Sequence, residues 1–362
     1  MKPFLCHPTV FCVKSDYQII FITENPGMAW VEIDGKRYAD TKCGLMRWDD
    51  PVHKITVPGD ALNQAKAYAV CFQAMEDRAP YYPKHEDTIS REYAFCPLTG
   101  KTPLHICYLA DTHGHKEAPV KCAAVKEFDL LIMGGDIADH NSTREDLWVL
   151  LEICGQAARG EKPVVFSRGN HDTRGPMATY LPDMIGLDEG DTYYSVEQPG
   201  LFLLNLDAGE DKPDKGIEYG DTICFEPFRR EETKWLEQIK AEGKWKNAPL
   251  RVAACHIPFP MQQGEVGCVF DIEPEVYARW TELLNEMGVE LLISGHMHHL
   301  HVLRPGDSHL KFDAAFTTLI GSEKPQDFVG AHYEITDEEA RVSFVKADGS
   351  VCGSDIVRRG AK

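Results

Sequence analysis

Short apolar runs recur along the whole chain, but what lies between them changes at about residue 100. Up to residue 99 the runs are brief and closely punctuated: "YQIIFIT", "MAWVEI", "RYADT", "HKITV" and "AKAYAVCFQAM". Their length and their turn-rich flanks predict strands. Asp34-Gly35 between two of them predicts a hairpin, because both residues adopt positive φ at little cost. No segment here has the length and 3.6-residue period of a helix. Residues 80–103 are polar and proline-marked and read as a connector.

From about residue 104, short apolar strands alternate with amphipathic segments. The strand candidates are "LHICYLA", "DLLIMGG", "PVVFS", "LFLLNL", "LRVAAC" and "VELLIS". Leu147, Leu150, Leu151 and Cys154 follow helical spacing, with Ser142 and Glu145 as the expected capping box. "EETKWLEQIKAEG" and "EVYARWTELLNEMG" predict two further helices. "HLKFDAAFTTLIG", "GAHYEIT" and "ARVSFVKA" return the chain to strands, and no internal repeat is visible. The pattern predicts two domains, a small all-β region over 1–99 and a layered α/β domain over 100–362.

Polar chemistry collects where the apolar strands stop. "HICYLA" runs into Asp111, Thr112 and His113, and "LLIMGG" into Asp136. "VVFSRG" runs into Asn170, His171 and Asp172, "RVAAC" into His256, and "LLISG" into His296, Met297 and His298. Sites in open α/β sheets form beyond the carboxyl ends of the strands. A shared sheet would therefore bring these five segments together. In extended chain, residues i and i+2 project to one side, so Asp111 with His113, and His296 with His298, are each expected to aim two ligands at one centre. Gly135, Gly169 and Gly295 each precede a functional position and are expected to permit tight turns and close backbone approach.

Composition narrows the partners. The 362 residues carry a formal net charge of −19, which disfavours long nucleic acid and anionic membranes. No apolar run approaches the roughly 18 residues of a membrane span, and the first residues lack the pattern of an export signal. The twelve cysteines are scattered without a CxxC pair, and Cys107, Cys154 and Cys255 fall inside apolar runs. They read as reduced thiols of a cytoplasmic protein.

The ordered set "DTH", "GGD", "GNHD", "CHIP" and "GHMH" resembles the signature of the calcineurin-like metallophosphoesterases over about 104–300. That resemblance implies a four-layer α/β/β/α sandwich with two mixed sheets face to face. The region 1–99 resembles the fibronectin-type-III-like sandwich that precedes the catalytic domain of purple acid phosphatases. Carried over residue by residue, the resemblance assigns Asp111, His113 and His298 to one metal ion and Asn170, His256 and His296 to a second. Asp136 is the bridging ligand, His171 the unliganded histidine near the leaving group, and Asp172 its support. Purple acid phosphatases carry a glycine where His113 stands and a tyrosine where Asp139 stands, which places this chain outside that subclass.

Those assignments imply a dinuclear phosphoester hydrolase. Two aspartates against two divalent ions leave a formal charge of about +2, enough to attract a phosphate dianion to an acidic protein. A water shared by ions about 3.5–4 Å apart ionises near pH ~7, supplying hydroxide for in-line attack on phosphorus. The expected cofactors are two divalent or mixed-valence ions, with manganese, iron and zinc all suited to the donor set. The expected substrate is a small-molecule or protein phosphoester; the motifs serve monoesters and diesters alike, and oligomeric state is not encoded in them. A non-catalytic scaffold and a carbohydrate-binding sandwich presenting Trp30, Trp48, Tyr81 and Tyr82 are the competing readings.

Beside the ligands, His115, His140, His299, His301, Arg168 and Arg174 are candidates for substrate contact, with solvated loop positions as the plainer alternative. The stretches 207–228 and 258–274 are rich in glycine and proline and follow strand ends, so they are lid candidates.

Overall fold

The structure, a computed structural model, describes residues 3–265 and 267–360; the outermost residues of both expected domains, and Val266 of the second lid candidate, lie outside it. Its backbone is a nine-stranded sheet. In spatial order the strands are Val351–Arg358, Glu339–Lys346, Val329–Ile335, Leu104–Leu109, Leu130–Met133, Pro163–Phe166, Thr9–Val13, Asp16–Ile22 and Val52–Val57. The four from Leu104–Leu109 to Thr9–Val13 run parallel. A six-stranded sheet faces it, in the order Tyr194–Gln198, Leu201–Asn205, Leu250–Ala254, Leu291–Ser294, Thr317–Ile320 and His301–Leu303.

Side-chain alternation makes the layers. Ile106, Tyr108, Ile132 and Val165 point into the core shared with Leu203, Val252 and Ile293 of the second sheet. Their neighbours Cys107, Leu109, Leu131 and Phe166 point outward against Leu147, Leu150 and Cys154 of the helix Arg144–Ala157. On the opposite outer face Leu204, Ala253 and Leu292 meet Leu236 and Ile239 of helix Phe225–Glu242, and Trp280 and Leu283 of helix Pro274–Glu286. The chain is thus an α/β/β/α sandwich.

Local signals place the helix ends. Gly243 adopts φ 71° and closes Phe225–Glu242, a conformation that favours glycine. Pro274 opens the next helix, where a missing N–H is harmless. The capping box of Arg144–Ala157 is Thr143 with Asp146, one residue later than expected, because the Asp146 carboxylate already receives the Ser142 N–H at 3.0 Å.

The N-terminal region forms two β-layers, but one of them is borrowed. A five-stranded sheet, Ile89–Ala94, Ala67–Asp77, Gly27–Ile33 and Lys36–Ala39 with Lys84–His85 paired to Ala67–Asp77, packs Val31, Val70 and Phe72 against Tyr17, Ile19, Phe21 and Val57. The latter belong to the nine-stranded sheet. Val10 and Phe11 pair in parallel with Pro163 and Val164, so the sheet runs without a break across the division expected at residue 99. The physical reason lies in "TVFCV": all five residues are buried, as in a strand covered on both faces, not alternating as in a free sandwich. Asp34 and Gly35 take φ 48° and 75°, the expected hairpin turn. The expected connector contains the strand Ile89–Ala94, and Gly59–Ala65 is a short helix the pattern did not suggest.

Candidate metal centre

The five polar segments do converge, although from two sheets. The strands ending at Leu109, Met133 and Phe166 belong to the nine-stranded sheet, and those ending at Ala254 and Ser294 to the facing one. Their carboxyl ends open on the same space. One cluster joins Asp111, His113 and His298, and another joins Asp136, His256 and His296; within each cluster the donor atoms lie within 4.8 Å of one another. Asn170 joins the second, its Oδ1 3.1 Å from Nδ1 of His296. The clusters are tied to each other by backbone: the His113 N–H donates to the Asp136 carbonyl at 3.0 Å, and the His296 N–H to Asp111 Oδ2 at 3.0 Å.

The residues do not reach the centre from extended chain. Asp111, His113, Asp136, His296 and His298 have φ of 56°, 42°, 53°, 69° and 52°. Left-handed turns at non-glycine residues cost roughly 1–3 kcal/mol each and persist where the surroundings impose them. The i, i+2 expectation is corrected accordingly: each pair is gathered by a turn. Gly295 serves close approach, since a Cβ there would stand 2.6 Å from Asp111 Oδ2.

The histidine tautomers follow from their partners. His256 Nδ1 lies 2.5 Å from the Gly134 carbonyl, which only accepts, so Nδ1 carries the proton. Its Nε2 is buried without a well-directed partner, and Asp136 Oδ2 stands 3.2 Å away. A lone pair facing a carboxylate oxygen is repulsive unless a cation or proton sits between them. The first cluster repeats this: His113 Nε2 and Asp111 Oδ1 lie 3.2 and 3.1 Å from His298 Nε2, while His113 Nδ1 is turned to Asp139 Oδ1 at 3.2 Å. The donor set fits two cations.

Residues 104–300 match the family described as calcineurin-like phosphoesterase. The chain belongs to that family. Among solved structures it resembles a purple acid phosphatase, PPD1, from yellow lupin, with TM-score 0.62, 14% identity, and coverage of 97% of this chain and 74% of that one. It also resembles PhoD, with TM-score 0.58, 11% identity, and coverage of 99% and 89%. At these identities the likeness is one of fold. Comparison with curated proteins by sequence gives no match. As a calcineurin-like phosphoesterase the protein is a hydrolase of phosphoric ester bonds.

In this phosphoesterase the carboxylates and imidazoles hold one another's charge. Burial opposes ionisation of Asp136, but the charge and hydrogen bond of His256, with His171 and His296, keep its carboxyl below the usual range. Burial likewise opposes ionisation of Asp111, and the hydrogen bond from His298 together with the charge of His256 outweighs it. Burial alone would lower His256; the Asp136 carboxylate pushes it up to about 10. His298 is raised by its hydrogen bond to Asp111, whereas burial lowers His113 and takes His296 down to about 4.

A pH dependence follows. The Asp136 carboxylate holds a proton on His256 at neutral pH, so an arriving cation must displace it. Metal affinity should rise with pH through the neutral range, with protons released on binding. Calorimetry of the metal-stripped protein in buffers of different ionisation enthalpy measures both, and an affinity flat from pH 6 to 8 would contradict the raised His256 imidazole.

Two expected roles change. Asp172 does not touch His171; its buried carboxylate accepts the N–H groups of Asp136 (2.9 Å), Ile137 (3.0 Å) and Gly169 (2.8 Å), pinning two ligand loops together. Burial and the Asp136 charge push it up to about 7. The partner of His171 is the Asp139 carbonyl, 2.8 Å from Nδ1, while Nε2 meets Arg174 Nη1 at 3.0 Å. Asp139, where the purple subclass has tyrosine, therefore steadies both His113 and His171. Arg168 turns away to Asp207 at 2.8 Å, over the rings of Phe225 and Phe228. His140 stacks 5.7 Å from His171, His299 bonds the Met297 carbonyl and touches His301, and His115 is exposed.

Sequence reading missed Glu210 and Asp211. Glu210 is fully buried and binds Arg174 through both oxygens, and Asp211 Oδ2 lies 3.6 Å from His296 Nε2. They follow the strand Leu201–Asn205, which pairs with Leu250–Ala254, so the strand-end rule applied to "LFLLNLDAGED" would have found them.

Proposed function

We propose that this phosphoesterase hydrolyses phosphate monoesters at a pair of divalent cations. The observation that carries the reading is the meeting of two three-donor clusters, each with a carboxylate oxygen within 3.2 Å of an imidazole Nε2. Asp111, His113 and His298 would hold one ion, Asn170, His256 and His296 the other, with Asp136 shared between them. Manganese, iron and zinc all suit such nitrogen and oxygen donors. The bound ions would supply positive charge to the phosphoryl oxygens and a water of lowered pKa. A formal site charge of about +2 matches the dianion of a monoester.

The chain's own groups do the positioning. Asp139 fixes the His113 ring, and Asp172 fixes the loops that carry Asp136 and Asn170. His171 holds its resting proton on Nδ1, against the Asp139 carbonyl. A proton for the leaving oxygen would be held at Nε2, which requires Arg174 to release its hydrogen bond there.

Parallel assays with p-nitrophenyl phosphate and its bis ester, each with manganese, iron and zinc, test the reading. Turnover of the monoester is expected; preference for the bis ester would make the protein a phosphodiesterase, and a flat profile with every metal would favour a scaffold. His171→Ala should lower turnover roughly 10²–10⁴-fold, most for poor leaving groups, while both metals stay bound by elemental analysis. Full activity on an alkyl phosphate would remove His171 from the mechanism. We also infer a cytoplasmic location. All twelve cysteines are free, as a reducing compartment would leave them.

A further inference from the structure

His171 stands between the metal ligands and a pocket. Its ring meets His113 at 4.7 Å on one side and His140 at 5.7 Å on the other, and its Nε2 meets Arg174. His140 and Arg174 both line a cavity of about 760 Å³, completed by Thr179, Lys212, Glu218 and Tyr219 among others. A group leaving from a phosphorus held at the clusters, on the His171 side, would enter this space.

The cations of the pocket are already paired. Arg174 Nε and Nη2 bind Glu210 Oε1 and Oε2 at 2.6 and 2.9 Å, and its remaining Nη1 faces His171. The Tyr219 hydroxyl donates to the same Glu210 carboxylate at 2.8 Å. Lys212 lies 3.6 Å from Glu218 and 3.8 Å from Asp211. Two cations thus stand against three carboxylates, with no positive charge to spare for a second phosphate. What the pocket offers instead is a phenol ring face, threonine hydroxyls and one loosely paired ammonium–carboxylate couple, all suited to hydroxyl groups.

Resting on the phosphoester reading above, we propose that this pocket takes the alcohol part of the substrate. That alcohol is uncharged and rich in hydroxyls, a sugar, polyol or nucleoside bearing a single phosphate, and esters with a second phosphate on the alcohol are rejected. In the reaction, water oxygen joins phosphorus, the phosphorus–alkoxide bond breaks, and the alkoxide leaves as the alcohol with one proton ultimately from that water. Lys212 and Glu218 come from the same 207–228 stretch as Glu210, so the first lid candidate supplies the selectivity.

The test compares a hexose 6-phosphate with the matching 1,6-bisphosphate on the manganese-loaded protein. The monophosphate should be favoured by roughly tenfold or more in kcat/KM, the effect of placing like charge against a site without spare cations. Glu218→Lys should shrink that preference by about tenfold, because the pocket gains two units of positive charge. Thr179→Trp, which fills the cavity from an exposed position, should raise KM for the monophosphate about tenfold with the inhibition constant of inorganic phosphate held within about twofold. Equal rates on mono- and bisphosphate, or an unmoved KM in Thr179→Trp, would overturn the pocket assignment while leaving phosphoester hydrolysis intact. Inactivity on every ester, p-nitrophenyl phosphate included, would take down both.

Discussion

Asp136→Asn should lose turnover by about three orders of magnitude or more, equivalent to ~4 kcal/mol of transition-state stabilisation. The residue is 1% exposed, with Oδ1 receiving the His171 N–H at 2.8 Å and Oδ2 facing His256 Nε2 at 3.2 Å. Asparagine keeps the shape and tolerates the φ of 53° that this position requires, so the backbone should not be the cause of any loss. What disappears is one of the two carboxylates in the proposed ligand set. Elemental analysis should show fewer than two metal equivalents, with thermal stability of the metal-stripped protein little changed. A variant that kept two equivalents and ordinary turnover would end the shared-ligand reading.

Gly295→Ala should be nearly as damaging, for a steric reason. The added Cβ would stand 2.6 Å from Asp111 Oδ2 and 2.8 Å from Ala110 Cβ. Ala110 is fully buried, so the space can open only by moving the Asp111 carboxylate or the strand end that carries it. Overpacking of this kind costs roughly 1–3 kcal/mol of stability. A displacement approaching 1 Å at the ligand would lower turnover by about 10²-fold. Thermal unfolding and metal titration read the two effects separately. An unchanged melting point together with unchanged metal affinity would show that the close approach at this glycine is not what holds Asp111 in place.

The chemistry of the centre was more legible than its geometry. Parallel strands buried on both faces leave unbroken apolar runs, so "HICYLA", "LLIMGG" and "LLISG" advertise where they stop and which polar residues come next. Ligand identity is a matter of residue type, and type is what a sequence states. The left-handed turns at Asp111, Asp136 and His296 carry no such mark, because their cost is met by tertiary packing and not by local preference. Hence the expectation of extended i, i+2 pairs. Asp172 illustrates a second limit: adjacency to His171 in "GNHD" suggested a partnership, yet its carboxylate turns beneath the loops to three backbone donors. Trp30, offered as part of a carbohydrate platform, is buried and covered by the Arg37 guanidinium at 3.8 Å. Tyr81 and Tyr82, by contrast, are well exposed. Long-range pairing was hardest to see, since nothing local in "TVFCV" names its neighbour; only its failure to alternate hinted at an interior strand.

That interior strand bears on how the protein comes to be made. Thr9–Val13 is synthesised ahead of one of the two edges that must flank it, Pro163–Phe166, which leaves the ribosome about 150 residues later. In the interval the hairpin with Asp16–Ile22 has to wait with one apolar flank uncovered. Fragments trimmed to the matched segment 104–300 would meet the same difficulty from the other side, exposing a raw parallel edge on the very strand that delivers Asn170.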